Sequence, residues 1–179
     1  MTYGLSYFMR YINAKLSCGK RLSIPLRTRL GKMTDIYCKT GYVSIGNYSS
    51  VRENVHLSAL CDGKLTMGEN VRINRNCIFV SRKHIEIGDN VSFGPNVCIY
   101  DHDHCFGAEG RKEGFTLGDV FIGDNCWIGA GCIILKNTHI GKGCVIGAGC
   151  VIKGNIPDHS LVTMGRNLNI VPLEERSNE

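Results

Sequence analysis

An aliphatic or large apolar residue returns every six positions along most of this chain. Hexads of this kind start at Ile45, Val51, Leu57, Met67, Ile73, Phe79, Ile87, Phe93, Ile99, Ile122, Ile128, Ile134, Ile140, Ile146 and Ile152. The second position is Gly at residues 46, 68, 88, 94, 123, 129, 141 and 147, and the fifth is small or short. A period of six matches neither the helical period nor the alternation of a strand. It suits a short strand followed by a corner, wound into a solenoid whose first and fifth residues point inward. Those residues then stack on their equivalents in the next coil, roughly 4.8 Å away. Glycine at the corner is expected to supply backbone angles that a side chain resists.

Three hexads make one triangular coil, so the fifteen predict five coils over residues 41–157. The interruptions agree with that count. Extra residues occur at 63–66, 85–86 and 105–121, each after a third hexad, so all three leave the same edge of the prism. The fold class is therefore an all-β solenoid, a parallel β-helix with the longest insertion, 105–121, as a Gly-rich and charged loop beside its site. Residues 1–40 lie outside this reading. Leu5, Phe8, Met9 and Ile12 fall at helical spacing, which predicts a short helix capping the first coil. Residues 158–179 are expected to leave the solenoid, pack back briefly and fray.

The cysteines follow from the same register. Cys61, Cys77, Cys126, Cys132, Cys144 and Cys150 are assigned to the inward fifth position, as small apolar fillers. No C-x-x-C spacing occurs, and no metal is expected.

The net charge is +5, and residues 1–40 hold eight basic residues against one acid. Such a surface attracts anions. No zinc-finger, helix-turn-helix or RNP-type motif accompanies it, so a nucleic-acid partner is not expected. No apolar run reaches the roughly 18 residues of a membrane span, and the start of the chain makes a poor signal peptide. The expected location is cytoplasmic. The basic N-terminus is expected to make peripheral contact with an anionic membrane surface.

The longest interruption begins at "IYDHDHCFG", residues 99–107, and is followed by "IGDNCWIGAGCII", "IGKGCVIGAGCVI" and "IPDHSLV". In this order the segments resemble hexapeptide-repeat acetyltransferases, in particular galactoside and maltose O-acetyltransferases and the colanic-acid and capsule sugar enzymes. The resemblance covers about residues 45–163. It implies a left-handed parallel β-helix, a homotrimer with active sites between subunits, acetyl-CoA as acyl donor, and a sugar or lipid-linked sugar hydroxyl as acceptor. It implies His102 as the general base and Asn74 as a second active-site residue. Trp127, Ala130, Ala148 and Lys153 would lie along the CoA, with Ala130 offering a main-chain N–H near the thioester. Arg166 would replace a basic contact that relatives place after a Gly-x-Pro-Ala loop missing here. Arg82 stands where the galactoside enzymes carry an acceptor-binding aspartate. With Asp101 and His104, it completes the expected acceptor side.

The chemistry is coherent with these residue types. Imidazole takes an alcohol proton near neutral pH, and a main-chain N–H can receive the oxyanion of a tetrahedral intermediate. Asp101 either orients a histidine ring or shapes the turn. Three other readings stand beside acetyl transfer to a hydroxyl: transfer to the amine of an amino sugar, a γ-carbonic-anhydrase-like zinc site using His102 and His104, and a non-catalytic hexapeptide scaffold.

Overall fold

The computed structural model describes residues 2–165 and 168–172, with side chains described from residue 6 to 165. A helix, α1 (Thr2–Cys18), leads into a prism of short parallel strands of about six turns, a left-handed β-helix. The prism has three faces. The first carries Tyr42–Ile45, Lys64–Met67, His84–Ile87 and Asp119–Ile122, stacked in register. The second carries Ser50–Val51, Arg72–Ile73, Ser92–Phe93, Trp127–Ile128 and Val145–Ile146. The third carries Asp35–Tyr37, His56–Ala59, Ile78–Ser81 and Cys98–Tyr100. The core is the set of inward columns, of which one reads Ile36, Leu57, Phe79, Ile99, Ile134 and Ile152, all buried.

The corner chemistry differs from the expectation. The second-position glycines do not adopt left-handed angles. A Cβ on Gly46 would meet Gly68 O at 2.3 Å, and one on Gly94 would meet Ala130 N at 2.6 Å. Glycine is required there because the next coil's backbone occupies the space. The left-handed residue is the fourth of the hexad, commonly asparagine, as at Asn70, Asn76, Asn90, Asn96 and Asn125, with φ between 55° and 60°. Asparagine tolerates this region better than other residues with a side chain. It adds a ladder, with Asn54 Nδ2 donating to Asn76 Oδ1 and Asn76 Nδ2 to Asn96 Oδ1.

Residues 22–40, expected to belong to the cap, form a complete coil. Leu22 pairs with Val43, Leu30 with Val51 and Ile36 with Leu57. The hexads at Ile24, Leu30 and Ile36 were hidden because Pro25 and Tyr37 take the glycine position. The C-terminal segment stays on the solenoid for one rung more than expected before it packs back. Ser160–Met164 adds another rung to the second face, Val162 against Ile146, before Leu168–Pro172 pairs back on it antiparallel.

The first coil has an open edge, and α1 closes it. Residue carbonyls that point away from the second coil have no strand to bond. Arg10 Nε donates to Leu30 O at 2.7 Å, Lys15 Nζ to Leu22 O at 2.8 Å, and Cys18 Sγ to Ile36 O at 3.2 Å. Each serves one face. The helix packs through Tyr11, Ala14 and Cys18, whereas Phe8 and Met9 are about half exposed. Two of the arm's eight basic residues, Arg10 and Lys15, therefore block an edge that would otherwise accept another strand.

Of the six cysteines assigned inward, five are buried, but Cys61 is exposed with φ 52°. The third-face edge carries inserted residues there, so Ala59 fills the core position and Cys61 rides the turn. All ten cysteines are free. Burial pushes the Cys126 thiol up to about 12 and Cys77 up to about 11. Thiols held protonated in this way are poor nucleophiles. Alkylation of the native protein at pH 8, read by peptide mass mapping, is expected to label Cys61 first and to leave Cys77 and Cys126 unmodified until unfolding.

The left-handed corner gives a second expectation. Asn125→Ala should cost about 1 kcal/mol, because alanine keeps the Cβ but lacks the short polar side chain that lets asparagine accept this region, whereas Asn125→Gly should be close to neutral in urea unfolding.

Candidate active site

The residues singled out from the sequence fall on two edges of the prism. Asn74, Ala130 and Ala148 follow second-face strands and line the edge toward the third face. Arg82, Asp101 and His102 follow third-face strands, and Lys153 sits where Val151–Ile156 passes from the third face to the first, so all four line that edge. Trp127 stands exposed on the second face. Within one chain the third face separates Asn74 from His102. Arg166 lies outside the described residues.

The interruption at the His102 edge is built as an antiparallel ribbon rather than an open loop. His102–Gly107 pairs with Gly110–Leu117, with a two-residue turn between Gly107 and Gly110. The chain then rejoins the first face at Asp119–Ile122, so the insertion ends earlier than the expected 121. Alternation puts His102, His104, Phe115 and Leu117 on one side of the ribbon. On the other side Lys136, nearly buried, holds Asp103 Oδ2 at 3.4 Å and also bonds Thr116 Oγ1. Lys136 thus pins the ribbon to the following coil, a role with no separate signal in the sequence.

Asp101 decides the geometry. It continues the inward column of Cys38, Ala59 and Ser81 at this edge, and its exposure is 0%. Its carboxylate accepts from Ser81 Oγ at 2.7 Å, from Arg82 N at 2.8 Å and from Lys83 N at 2.8 Å. The fourth donor is His102 Nδ1 at 3.0 Å. A buried carboxylate needs this many charge-assisted bonds to offset its desolvation. The expected acceptor role of Asp101 is thereby corrected: a fully buried carboxylate cannot touch a substrate. Both of its other readings hold together, because the same group fixes the turn and orients the ring.

The other partners of Asp101 all donate to it, and on that pattern it accepts from His102 as well, which assigns the proton to Nδ1. Nε2 then has the lone pair, and the ring is 13% exposed as a side chain. Phe115 packs edge-on against it, with centroids 5.4 Å apart. The same Phe115 lies 4.5 Å from the His104 ring and 3.7 Å from Arg82 Cζ. Sequence reading missed this hub. Its signal was an apolar residue, with Phe106 and Leu117, alternating through an otherwise polar insertion. His104 is exposed and meets Arg111 NH1 at 3.3 Å. Among the described residues no group of three His, Cys, Asp or Glu side chains is gathered as a metal site.

Comparisons with known proteins agree with this architecture. Residues 119–154 match the bacterial transferase hexapeptide (six repeats) family. Nodulation protein L of Rhizobium meliloti is 34% identical over 103 residues, which cover 56% of this chain and 54% of that protein. The chain thus aligns with about half the length of that curated relative. The solved maltose O-acetyltransferase of Clostridium difficile is 32% identical, with a TM-score of 0.61, covering 94% of this chain and 77% of that one. An N-acyltransferase from Bacillus cereus, at 21% identity, shares the fold with a TM-score of 0.72 over 96% of this chain and 89% of that one.

Breaking the buried cluster should be costly. Asp101→Ala leaves the Arg82 and Lys83 backbone N–H groups without their acceptor, while the Ser81 hydroxyl keeps only Lys64 O. It is expected to lower the free energy of unfolding by about 3 kcal/mol or more, measured by urea denaturation.

Proposed function

The chain belongs to the hexapeptide-repeat transferase family, and on that premise we propose that it moves an acetyl group from acetyl-CoA to a hydroxyl of a sugar or sugar precursor. The observation that carries the proposal is His102, held by the buried Asp101 with Nε2 free to act. In this reading Nε2 takes the acceptor's hydroxyl proton as the oxygen attacks the thioester carbonyl. The tetrahedral oxyanion is received by the Ala130 N–H. Its collapse expels the CoA thiolate, which recovers the proton from His102. The carboxylate of Asp101 stabilises the imidazolium between the two transfers.

The proposed site needs two copies of the chain. Its halves lie on the two edges that flank the third face. Beyond the Asp35–His56 pair of its first two coils, that face is apolar outward, through Ile78, Val80, Tyr100, Ile133 and Val151, whereas the first face presents Lys64, His84, Glu86 and His139. Three copies packed with their third faces around one axis would set the Asn74 and Ala130 edge of one against the His102 edge of the next. Trp127, Ala148 and Lys153 would then border the CoA. Lys153 lies two coils beyond His102, about 10 Å along the prism axis.

The described residues include no helix long and apolar enough to cross a membrane. A cytoplasmic site of action remains part of the proposal, as does peripheral contact through the exposed Phe8, Met9, Leu16 and Leu26 beside the basic arm.

Thiol release from acetyl-CoA, screened over sugars, amino sugars and nucleotide sugars, tests the reaction and separates hydroxyl from amine acceptors. His102→Ala is expected to lower kcat at least ~100-fold, the lower range for a general base, with a loss of stability of about 1–3 kcal/mol from the donor withdrawn from Asp101. His104→Ala should do less. Near wild-type turnover in His102→Ala would remove the base from this mechanism. Sedimentation should return the mass of three chains; one or two chains would remove the shared site.

A further inference from the structure

Arg82 takes the turn one coil before His102, on the same edge. Its backbone N–H is fixed by Asp101, so the residue cannot drift from the site. Its guanidinium lies over the Phe115 ring, with Cζ 3.7 Å from the centroid, and His102 packs on that same ring. Yet its hydrogen-bonding capacity is hardly used. NH1 reaches only the Cys61 thiol, at 3.3 Å, and thiols are weak acceptors. Nε is buried and has no partner. Among the described residues no carboxylate pairs with this side chain. Asp101 is close in the fold, but its oxygens already serve Ser81, Lys83, His102 and the Arg82 backbone.

The enclosed Nε is closed to a ligand, so recognition falls to the terminal nitrogens, of which NH1 has only a weak thiol partner. Guanidinium is also the group suited to planar, bidentate recognition of carboxylate or phosphoryl oxygens. We propose that Arg82 binds an anionic group, carboxylate or phosphoryl, carried by the acceptor beside the hydroxyl that His102 deprotonates. This rests on the reading of His102 as the base of acetyl transfer. CoA is not the source of the anion, because the pantetheine arm holds its phosphates well away from the thioester. An anion site next to the base is filled from the acceptor side. The acceptor class is therefore an acidic sugar or a sugar phosphate rather than a neutral sugar.

The test is binding, so it does not depend on having found the natural acceptor. The CoA-loaded protein is titrated with galacturonate and galactose, and with glucose 6-phosphate and glucose, followed by ligand-observed NMR. At least one acid is expected to bind about tenfold or more tightly than its neutral partner, the scale of one charge-assisted contact. The pair that shows the gap identifies carboxylate or phosphoryl as the group. Arg82→Gln should close the gap while CoA affinity holds, and Arg82→Lys should keep part of it. No gap for either pair in the wild type would overturn the proposal. So would a gap that survives Arg82→Gln, or an equal loss of CoA affinity in that variant, which would mark Arg82 as support for the ribbon. If Arg82→Gln does not fold, Arg82→Lys carries the comparison, with an undiminished gap counting against the proposal. Full activity of His102→Ala would refute the base reading separately, because the binding gap does not pass through turnover.

Discussion

Everything in this molecule depends on how closely one coil lies on the next. Each strand sends its main-chain bonds along the prism axis into neighbouring coils, so the coil spacing is fixed by hydrogen bonding. Side chains must then fit that spacing. Inward positions take Ile, Val, Leu, Phe and Cys in columns. The first corner residue often cannot carry a Cβ at all, as the 2.3 Å approach at Gly46 shows. The reversal of the chain is displaced to the fourth position, where asparagine accepts the left-handed angle and bonds its neighbour. The sequence period is a direct consequence of this geometry. So is the need for α1, because a stack has an open edge, and Arg10, Lys15 and Cys18 supply the donors that the missing coil would have given.

Asp101 is where the stack and the chemistry meet. It occupies an inward position that a small or apolar residue fills in the preceding coils. A carboxylate there is tolerable only because the turn below offers two N–H groups and Ser81 a hydroxyl. The remaining bond is spent on His102, whose ring is therefore set by the core rather than by a surface loop. Preorganisation of this kind would let the proposed base act without rearrangement. The ribbon that carries His104 and Phe115 is in turn pinned by Lys136.

The sequence showed the repeat, the edge from which insertions leave, and His102, because each disturbs a strict period. It concealed the first coil, where Pro25 and Tyr37 stand in the glycine position and only the apolar spacing of Ile24, Leu30 and Ile36 remained. It suggested the wrong reason for glycine, since a close approach between coils and a left-handed angle both select the same residue. Cys61 was misplaced because an inserted turn shifts the inward register by two residues, to Ala59. Phe115 and Lys136 were not legible, because their roles arise from the ribbon's pairing register, His104 against Phe115, which no local pattern specifies. The separation of Asn74 from His102 is likewise a property of the folded prism, visible only once each residue is assigned to an edge.

The central claim is that a buried carboxylate fixes which nitrogen of His102 is left free for its proposed role as base. Nitrogen NMR of the His102 imidazole, selectively labelled and measured above its titration, tests this directly. The account expects the proton on Nδ1 and a free lone pair on Nε2, and expects that preference to weaken in Asp101→Asn. A neutral ring protonated on Nε2 in the wild-type protein would contradict it.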